Sequence, residues 1–230
     1  MNEIEKTGQA EFDFAAPNPA QKEPSALPPF LRQEGFYFVA LGGAEKVGMN
    51  MYAYISDGRI IVVDAGYDFL NDDFPGMELG LADPAWLESY RDCIDAMFIT
   101  HSHEDHFGAI AHIWPRLRCP VYATDFTIGH ILPRLREYKL ENEVELISVN
   151  QNPVVKLPDF EVEYVPVVHS LPENSALRIK TKYGTVFHAT DWRFDDCHID
   201  FMKTSYDRLK QVGEQGVDLY VGDSIHMAHP

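Results

Sequence analysis

A segment with three histidines and two carboxylates, residues 99–110, constrains the fold more than any other stretch of the chain. It reads Ile-Thr-His-Ser-His-Glu-Asp-His-Phe-Gly-Ala-Ile. The apolar residues 96–99 that lead into it predict a short buried strand, and the apolar residues from Gly108 onward predict a helix. The cluster is therefore expected on a strand-to-helix loop, where a bend in the backbone can aim several side chains at one point.

Four side chains of this loop, His101, His103, Asp105 and His106, have the chemistry of metal ligands. His101 and His103 are two residues apart, so they face the same side of an extended segment. The turn that follows can bring Asp105 and His106 to a neighbouring point. Imidazole nitrogen and carboxylate oxygen suit zinc and similar divalent ions. An ordinary polar loop does not explain three imidazoles in six positions, so a metal site is favoured.

Composition limits the classes of function. The 230 residues are 45% hydrophobic and 24% charged, as in a soluble globular protein, and no apolar run is long enough to cross a membrane. The formal net charge of −17 argues against an extended nucleic-acid-binding surface, although not against a narrow active-site channel. The polar N-terminus is unlike a secretory signal, and three widely spaced cysteines argue against a disulfide framework, so a cytoplasmic location is predicted.

The pattern along the chain predicts a flexible lead-in at residues 1–33 and one α/β domain at 34–230. An irregular acidic loop is expected at 67–82. Two strand-rich halves with interposed helices predict two sheets packed face to face with helices outside. Strands are predicted at 36–41, 50–55, 59–64, 96–100, 121–123, 144–149, 160–165, 176–181, 185–189 and 217–221. Helices are predicted at 84–91, 109–117, 126–140 (broken near Pro133) and 206–214.

Metal-type side chains also follow four predicted strands, at Asp64, His169, Asp191 and Asp223. Side chains from distant parts of the chain can meet at strand ends, although an aspartate there often caps a turn instead. The histidine cluster makes a joint site with His169 and Asp191 the favoured interpretation. His188, shortly before Asp191, is either an orienting partner of a ligand or an ordinary core histidine.

These motifs resemble the metallo-β-lactamase superfamily, whose signature is His-x-His-x-Asp-His. More narrowly, they resemble the N-terminal part of the β-CASP nucleases and, within these, the bacterial ribonuclease J family. The matching segments lie within residues 35–224 and are 41–50, 62–66, 100–109, 169–172, 190–195 and 222–224. The resemblance implies an αββα sandwich of two mixed sheets. It is expected to be incomplete at the C-terminus, because the β-CASP insert and two further histidine motifs would lie beyond Asp223.

The resemblance also implies two divalent metal ions, zinc rather than manganese by preference. One ion would be held by His101, His103 and His169, the second by Asp105 and His106, and Asp191 would bridge both. Asp64 would orient a ligand imidazole. Asp223 would support the site as a catalytic carboxylate beside Asp105 and Asp191. Ser170 is either a contact for substrate phosphate or a turn hydroxyl.

The function implied is a ribonuclease that cleaves single-stranded RNA with a metal-activated hydroxide. Two alternatives stay open. The first is a hydrolase of the same fold that acts on a small thioester, lactone or β-lactam. The second is a non-catalytic scaffold or fragment. The resemblance also implies self-association through regions outside this chain.

Overall fold

The computed structural model describes residues 34–44, 46–70, 74–193 and 203–224, so the predicted lead-in at 1–33 lies outside the described residues. Its helices are α1 (Ala85–Glu88), α2 (Glu104–Phe107), α3 (Ile110–Leu117), α4 (Asp125–Glu137) and α5 (Tyr206–Gln215), with a 3-10 turn at Arg91–Cys93. Its strands are β1 (Phe36–Gly42), β2 (Met51–Ser56), β3 (Arg59–Val63), β4 (Tyr67–Phe69), β5 (Leu79–Leu81), β6 (Ile94–Phe98), β7 (Val121–Ala123), β8 (Leu146–Ser148), β9 (Val154–Lys156), β10 (Glu161–Pro166), β11 (Ser175–Thr181), β12 (Gly184–Thr190) and β13 (Leu219–Gly222).

The first large sheet has the strand order β1-β2-β3-β6-β7-β8. Strands β1 to β3 pair antiparallel, and β3, β6, β7 and β8 run parallel. The turn between β2 and β3 is Asp57-Gly58, and both residues have positive φ, 47° and 81°. Tight hairpin turns of type I′ require this conformation, which explains why the Asp-Gly pair lies there.

The second large sheet has the order β13-β12-β11-β10-β9, antiparallel except between β12 and β13. The two large sheets pack face to face over a core in which Tyr54 and Phe98 meet Leu177 and Ile179. Leu177 and Ile179 lie two apart on β11 and therefore face the same side, towards this core.

Helices cover the outer face of each sheet. Ile110 and Ile113 of α3 and Ile131 and Leu135 of α4 are buried against the first sheet. Val212 of α5 lies in a smaller cluster on the second sheet. These layers confirm the predicted αββα sandwich with mixed sheets. Among the described residues, none of the helices combines the length and the apolar character needed to cross a bilayer.

Three local predictions were wrong. Helix α4 is not broken at Pro133 but runs through it. A proline inside a helix costs about 3 kcal/mol, and burial of Ile131 and Leu135, at about 1.5–3 kcal/mol each, offsets that cost. The expected irregular loop at 67–82 contains the antiparallel pair β4 and β5, which lies near the helix α2. The predicted helix at 84–91 ends earlier, at Glu88.

Candidate metal centre

The loop after β6 places the histidine cluster at the edge of the first sheet. His103 is extended, with φ −82° and ψ 145°, and the short helix α2 begins at the next residue. The sequence did not predict α2, whereas the helix predicted at 109–117 is present as α3. Asp105 and His106 both lie in the single turn of α2. His101 and His106 are buried, whereas His103 and Asp105 are partly exposed.

The segment that follows β3 and the residue before β2 hold α2 in place through their backbones. Ala65 N donates to the carbonyl of His106 at 2.7 Å, and Asn50 N donates to the carbonyl of Asp105 at 3.0 Å. Gly66 lies so close that a Cβ atom on it would be 1.6 Å from the Asp105 carbonyl oxygen. Only glycine permits this approach, so the Asp-Ala-Gly sequence sets the position of Asp105 and His106 in α2.

One group of four ligand-type side chains consists of His101, His103, His169 and Asp191. His103 Nδ1 lies 3.0 Å from His101 Nε2 and 3.1 Å from His169 Nε2. His169 Nε2 lies 3.8 Å from Asp191 Oδ2. Four ligands at about 2.0–2.1 Å from a tetrahedral zinc ion would be about 3.3 Å apart, so this spacing fits a bound zinc ion.

A second group consists of Asp105, His106 and Asp191. His106 Nε2 lies 3.6 Å from Asp105 Oδ2 and 3.6 Å from Asp191 Oδ1. Asp191 therefore turns one oxygen to each group. A carboxylate shared in this way suits two neighbouring divalent cations, and both donor sets fit zinc or manganese.

Asp64 fixes the orientation of His106 from behind. This fully buried carboxylate lies 2.7 Å from His106 Nδ1. Burial favours neutral His106, but the carboxylates of Asp64 and Asp191 outweigh it and raise the pKa of His106 to about 10. Burial and the neighbouring imidazoles instead hold the pKa of His101 well below its usual value, so His101 is neutral near pH 7. A neutral imidazole has a free lone pair for a cation.

Strained backbone surrounds the site. Met49, Asp64 and Thr190 have φ of 51°, 62° and 55°, in the left-handed region that non-glycine residues rarely adopt. Met49 precedes Asn50, and Thr190 precedes Asp191. Each such residue costs about 1–3 kcal/mol, which the surrounding structure must offset, and such strain is concentrated at functional sites.

Three other predicted site residues border the centre. The Oγ of Ser170 lies 3.0 Å from His103 Nε2. His188 is buried with Nδ1 2.9 Å from the Tyr54 hydroxyl, and burial lowers its pKa to about 4. Asp223 is exposed and lines a cleft of about 410 Å³ together with Asp191. The roles predicted for Ser170, His188 and Asp223 stay predictions.

Asn50 is a site residue that the sequence predictions missed. Its Nδ2 donates to Asp105 Oδ2 at 3.2 Å and lies 3.1 Å from His106 Nε2, so the amide lies between two members of the second group. Tyr52 holds it by donating its hydroxyl to Asn50 Oδ1 at 2.9 Å. The sequence feature that could have identified Asn50 is its position after Gly48-Met49, immediately before β2.

The αββα fold and the paired His/Asp groups define a class of metal-binding hydrolase folds, and residues 59–210 match the family described as "Beta-lactamase superfamily domain". The chain belongs to the metallo-β-lactamase superfamily. Over most of its length it is homologous to the N-terminal third of ribonuclease J.

Three curated relatives illustrate this similarity. Ribonuclease J of Sinorhizobium meliloti is 39% identical over 85% of this chain and 35% of its own length. Ribonuclease J of Mycolicibacterium smegmatis is 36% identical over 89% of this chain and 37% of its own length. Ribonuclease J of Helicobacter pylori is 33% identical over 81% of this chain and 27% of its own length. The chain thus spans about a third of the length of these relatives.

Solved structures support the fold alone. A protein of unknown function from Enterococcus faecalis matches with a TM-score of 0.58 and 20% identity, over 84% of this chain and 51% of that one. The metallo-beta-lactamase fold protein YhfI of Bacillus subtilis matches with a TM-score of 0.53 and 18% identity, over 71% of this chain and 65% of that one. Such low identities carry no statement about substrate.

Proposed function

We propose that this chain carries the metal centre of a ribonuclease that hydrolyses phosphodiester bonds in single-stranded RNA. The observation that carries the proposal is the pair of His/Asp groups that share Asp191. Its RNA specificity is supported by the similarity to ribonuclease J over 81–89% of the chain. The proposed cofactors are two divalent cations, with zinc favoured over manganese.

Charge explains why such a site requires cations. Asp105, Asp191 and Asp223 all line the cleft, and the whole chain has a net charge of −17. Carboxylates at this density repel a phosphodiester. Lys46, also in the cleft wall, is paired with Asp68, so its charge is already partly compensated. Bound divalent cations would supply the positive charge for phosphate and a nucleophilic water at neutral pH.

The side chains have separate tasks in this proposal. His101, His103 and His169 would hold one cation, Asp105 and His106 would hold the other, and Asp191 would contribute to both. Ser170 is exposed beside His103 at the mouth of the site, where its hydroxyl would meet substrate phosphate. Asp64 would keep His106 in the orientation that turns Nε2 to the cation.

Location and assembly belong to the same proposal. A ribonuclease that acts on cellular RNA would work in the cytoplasm, and three widely spaced cysteines fit that reducing compartment. Self-association through regions outside this chain stays a prediction.

The test is cleavage of a 5′-fluorescent single-stranded RNA by the protein loaded with zinc or manganese. We expect cleavage that a chelator abolishes and that Asp191→Ala removes. Asp92→Asn is the matched control, because the Asp92 side chain is 70% exposed in the ion pair with Arg91 and lies outside both ligand groups. Metal-loaded protein that leaves RNA intact but hydrolyses a thioester or lactone would replace this function with the small-substrate alternative.

A further inference from the structure

Four polar atoms surround the hydroxyl of Thr100, the residue before the histidine cluster. Thr100 Oγ1 lies 3.1 and 3.0 Å from the two carboxylate oxygens of Asp64. It also lies 3.0 Å from His101 Nδ1 and 3.0 Å from Thr190 Oγ1. Thr100 is fully buried, so water cannot replace any of these partners.

Counting protons assigns a direction to each bond. The Thr100 hydroxyl donates to the Asp64 carboxylate, so its single proton is used there. The two lone pairs of Thr100 Oγ1 must then accept from His101 Nδ1–H and from the Thr190 hydroxyl. Every donor and acceptor of the threonine hydroxyl is satisfied in this arrangement, as buried polar groups require.

This direction fixes the tautomer of His101. With its proton on Nδ1, His101 keeps the lone pair on Nε2, which faces His103 Nδ1 at 3.0 Å. The other tautomer would leave two lone pairs, on Nδ1 and on Thr100 Oγ1, facing each other in a buried site. It would also put a proton on the Nε2 atom that a cation needs.

Asp64 connects the same network to the second ligand group. Its Oδ1 accepts from Thr100 N at 2.8 Å, and its Oδ2 lies 2.7 Å from His106 Nδ1. One carboxylate thus orients His106 directly and His101 through the threonine hydroxyl. The Thr190 hydroxyl joins this network from the second sheet, immediately before the shared ligand Asp191.

We propose that Thr100 is a positioning residue of the metal centre, whose hydroxyl relays the orientation set by Asp64 to His101 and links the two ligand groups. This inference rests on the proposed function only in assuming that the centre binds divalent cations. Outer partners of ligand histidines typically change metal affinity by about 10- to 100-fold, which sets the expected effect.

The experiment compares Thr100→Val, which removes the hydroxyl, with Thr100→Ser, which retains it. Thr127→Val is the matched control, because Thr127 in α4 is also fully buried and its hydroxyl accepts a hydrogen bond from that of Thr124, which precedes the helix. Zinc affinity is measured by competition with a chromophoric chelator. Imidazole tautomers are measured by ¹⁵N NMR of histidine-labelled, metal-free protein near pH 7.

We expect His101 to be protonated on Nδ1 in wild-type and Thr100→Ser protein, with similar zinc affinities. In Thr100→Val we expect a mixture of tautomers and zinc affinity lower by about 10- to 100-fold. Thr127→Val should bind zinc as the wild type does. An Nε2-protonated His101 in the wild type overturns the relay without any variant, and so does wild-type zinc affinity in Thr100→Val. Failure of the wild type to bind zinc would instead refute the proposed function, while the tautomer measurement would still decide the role of Thr100.

Discussion

Substitution of Gly66 by alanine should unfold the metal centre, and the expected cost follows from the contacts around it. An added Cβ would lie 1.6 Å from the Asp105 carbonyl oxygen and 2.6 Å from His106 N. Both are backbone atoms, so no side-chain rotation relieves the overlap. The segment after β3 must therefore move away from α2 by more than an ångström, on the order of the missing contact distance.

That movement breaks the hydrogen bonds between the two segments. The pairs at risk are Ala65 N to His106 O at 2.7 Å and Ala109 N to Ala65 O at 2.9 Å, together with the bond that the same segment makes from Gly66 N to Asn50 O at 3.0 Å. Each buried group left unsatisfied costs about 1–3 kcal/mol, so losing the three bonds costs about 3 kcal/mol or more. A domain with about 5–15 kcal/mol of stability would lose much of it.

Urea unfolding and zinc titration measure both consequences of Gly66→Ala. We expect the free energy of unfolding to fall by about 3 kcal/mol or more and zinc binding to weaken with it. Gly129→Ala is the control, because nothing lies within 4 Å of a Cβ at this position in α4. It should be neutral or gain about 0.5–1 kcal/mol, as alanine favours the helix. Gly66→Ala protein with wild-type stability and zinc affinity would refute the packing argument.

Three further predictions concern individual side chains of the site. Asp64→Asn places an amide against His106 Nδ1 and should lower zinc affinity by about 10- to 100-fold in calorimetry, and an unchanged affinity would contradict the orienting role. In elemental analysis, Asp191→Ala should remove both equivalents of metal, whereas Asp105→Ala should remove only one. Equal losses in the two variants would argue against a carboxylate of Asp191 shared by both groups. In metal-free protein the pKa of His188 is about 4 when folded and near 6.5 when unfolded, so below pH 6.5 the unfolded chain binds a proton that the folded protein excludes. The free energy of unfolding should therefore fall by up to about 3 kcal/mol as the pH drops from 6.5 to 4. His188→Gln should reduce this fall, and the same pH dependence of urea unfolding in the wild type and the variant would refute the role of His188.

The part of the site that the sequence predicts is the part encoded locally. His101, His103, Asp105 and His106 lie within six positions after an apolar strand, so their convergence requires only one loop. His169 was expected from its position after a strand, and the two-layer fold brings it to the same edge. Fold class follows from alternating strands and helices in the same way.

The part that the sequence could not supply depends on contacts between distant segments. Asn50 contacts Asp105 across 55 positions, and an asparagine is not distinctive alone. The family resemblance implied that Asp64 orients an imidazole, but its contact with His106, 42 positions away, is visible only in the fold. The relay through Thr100 requires atomic positions from both sheets. Pro133 illustrates the converse case, because a strong local signal was outweighed by burial of α4.

The most direct test of a two-ion centre is the metal content of protein purified without chelator, measured by elemental analysis. The geometry of the two ligand groups predicts two equivalents of zinc or manganese per wild-type chain and at most one in His103→Ala, since His103 belongs to only one group. Wild-type protein that retains no divalent metal, and takes up none on titration with zinc or manganese, would contradict the central claim.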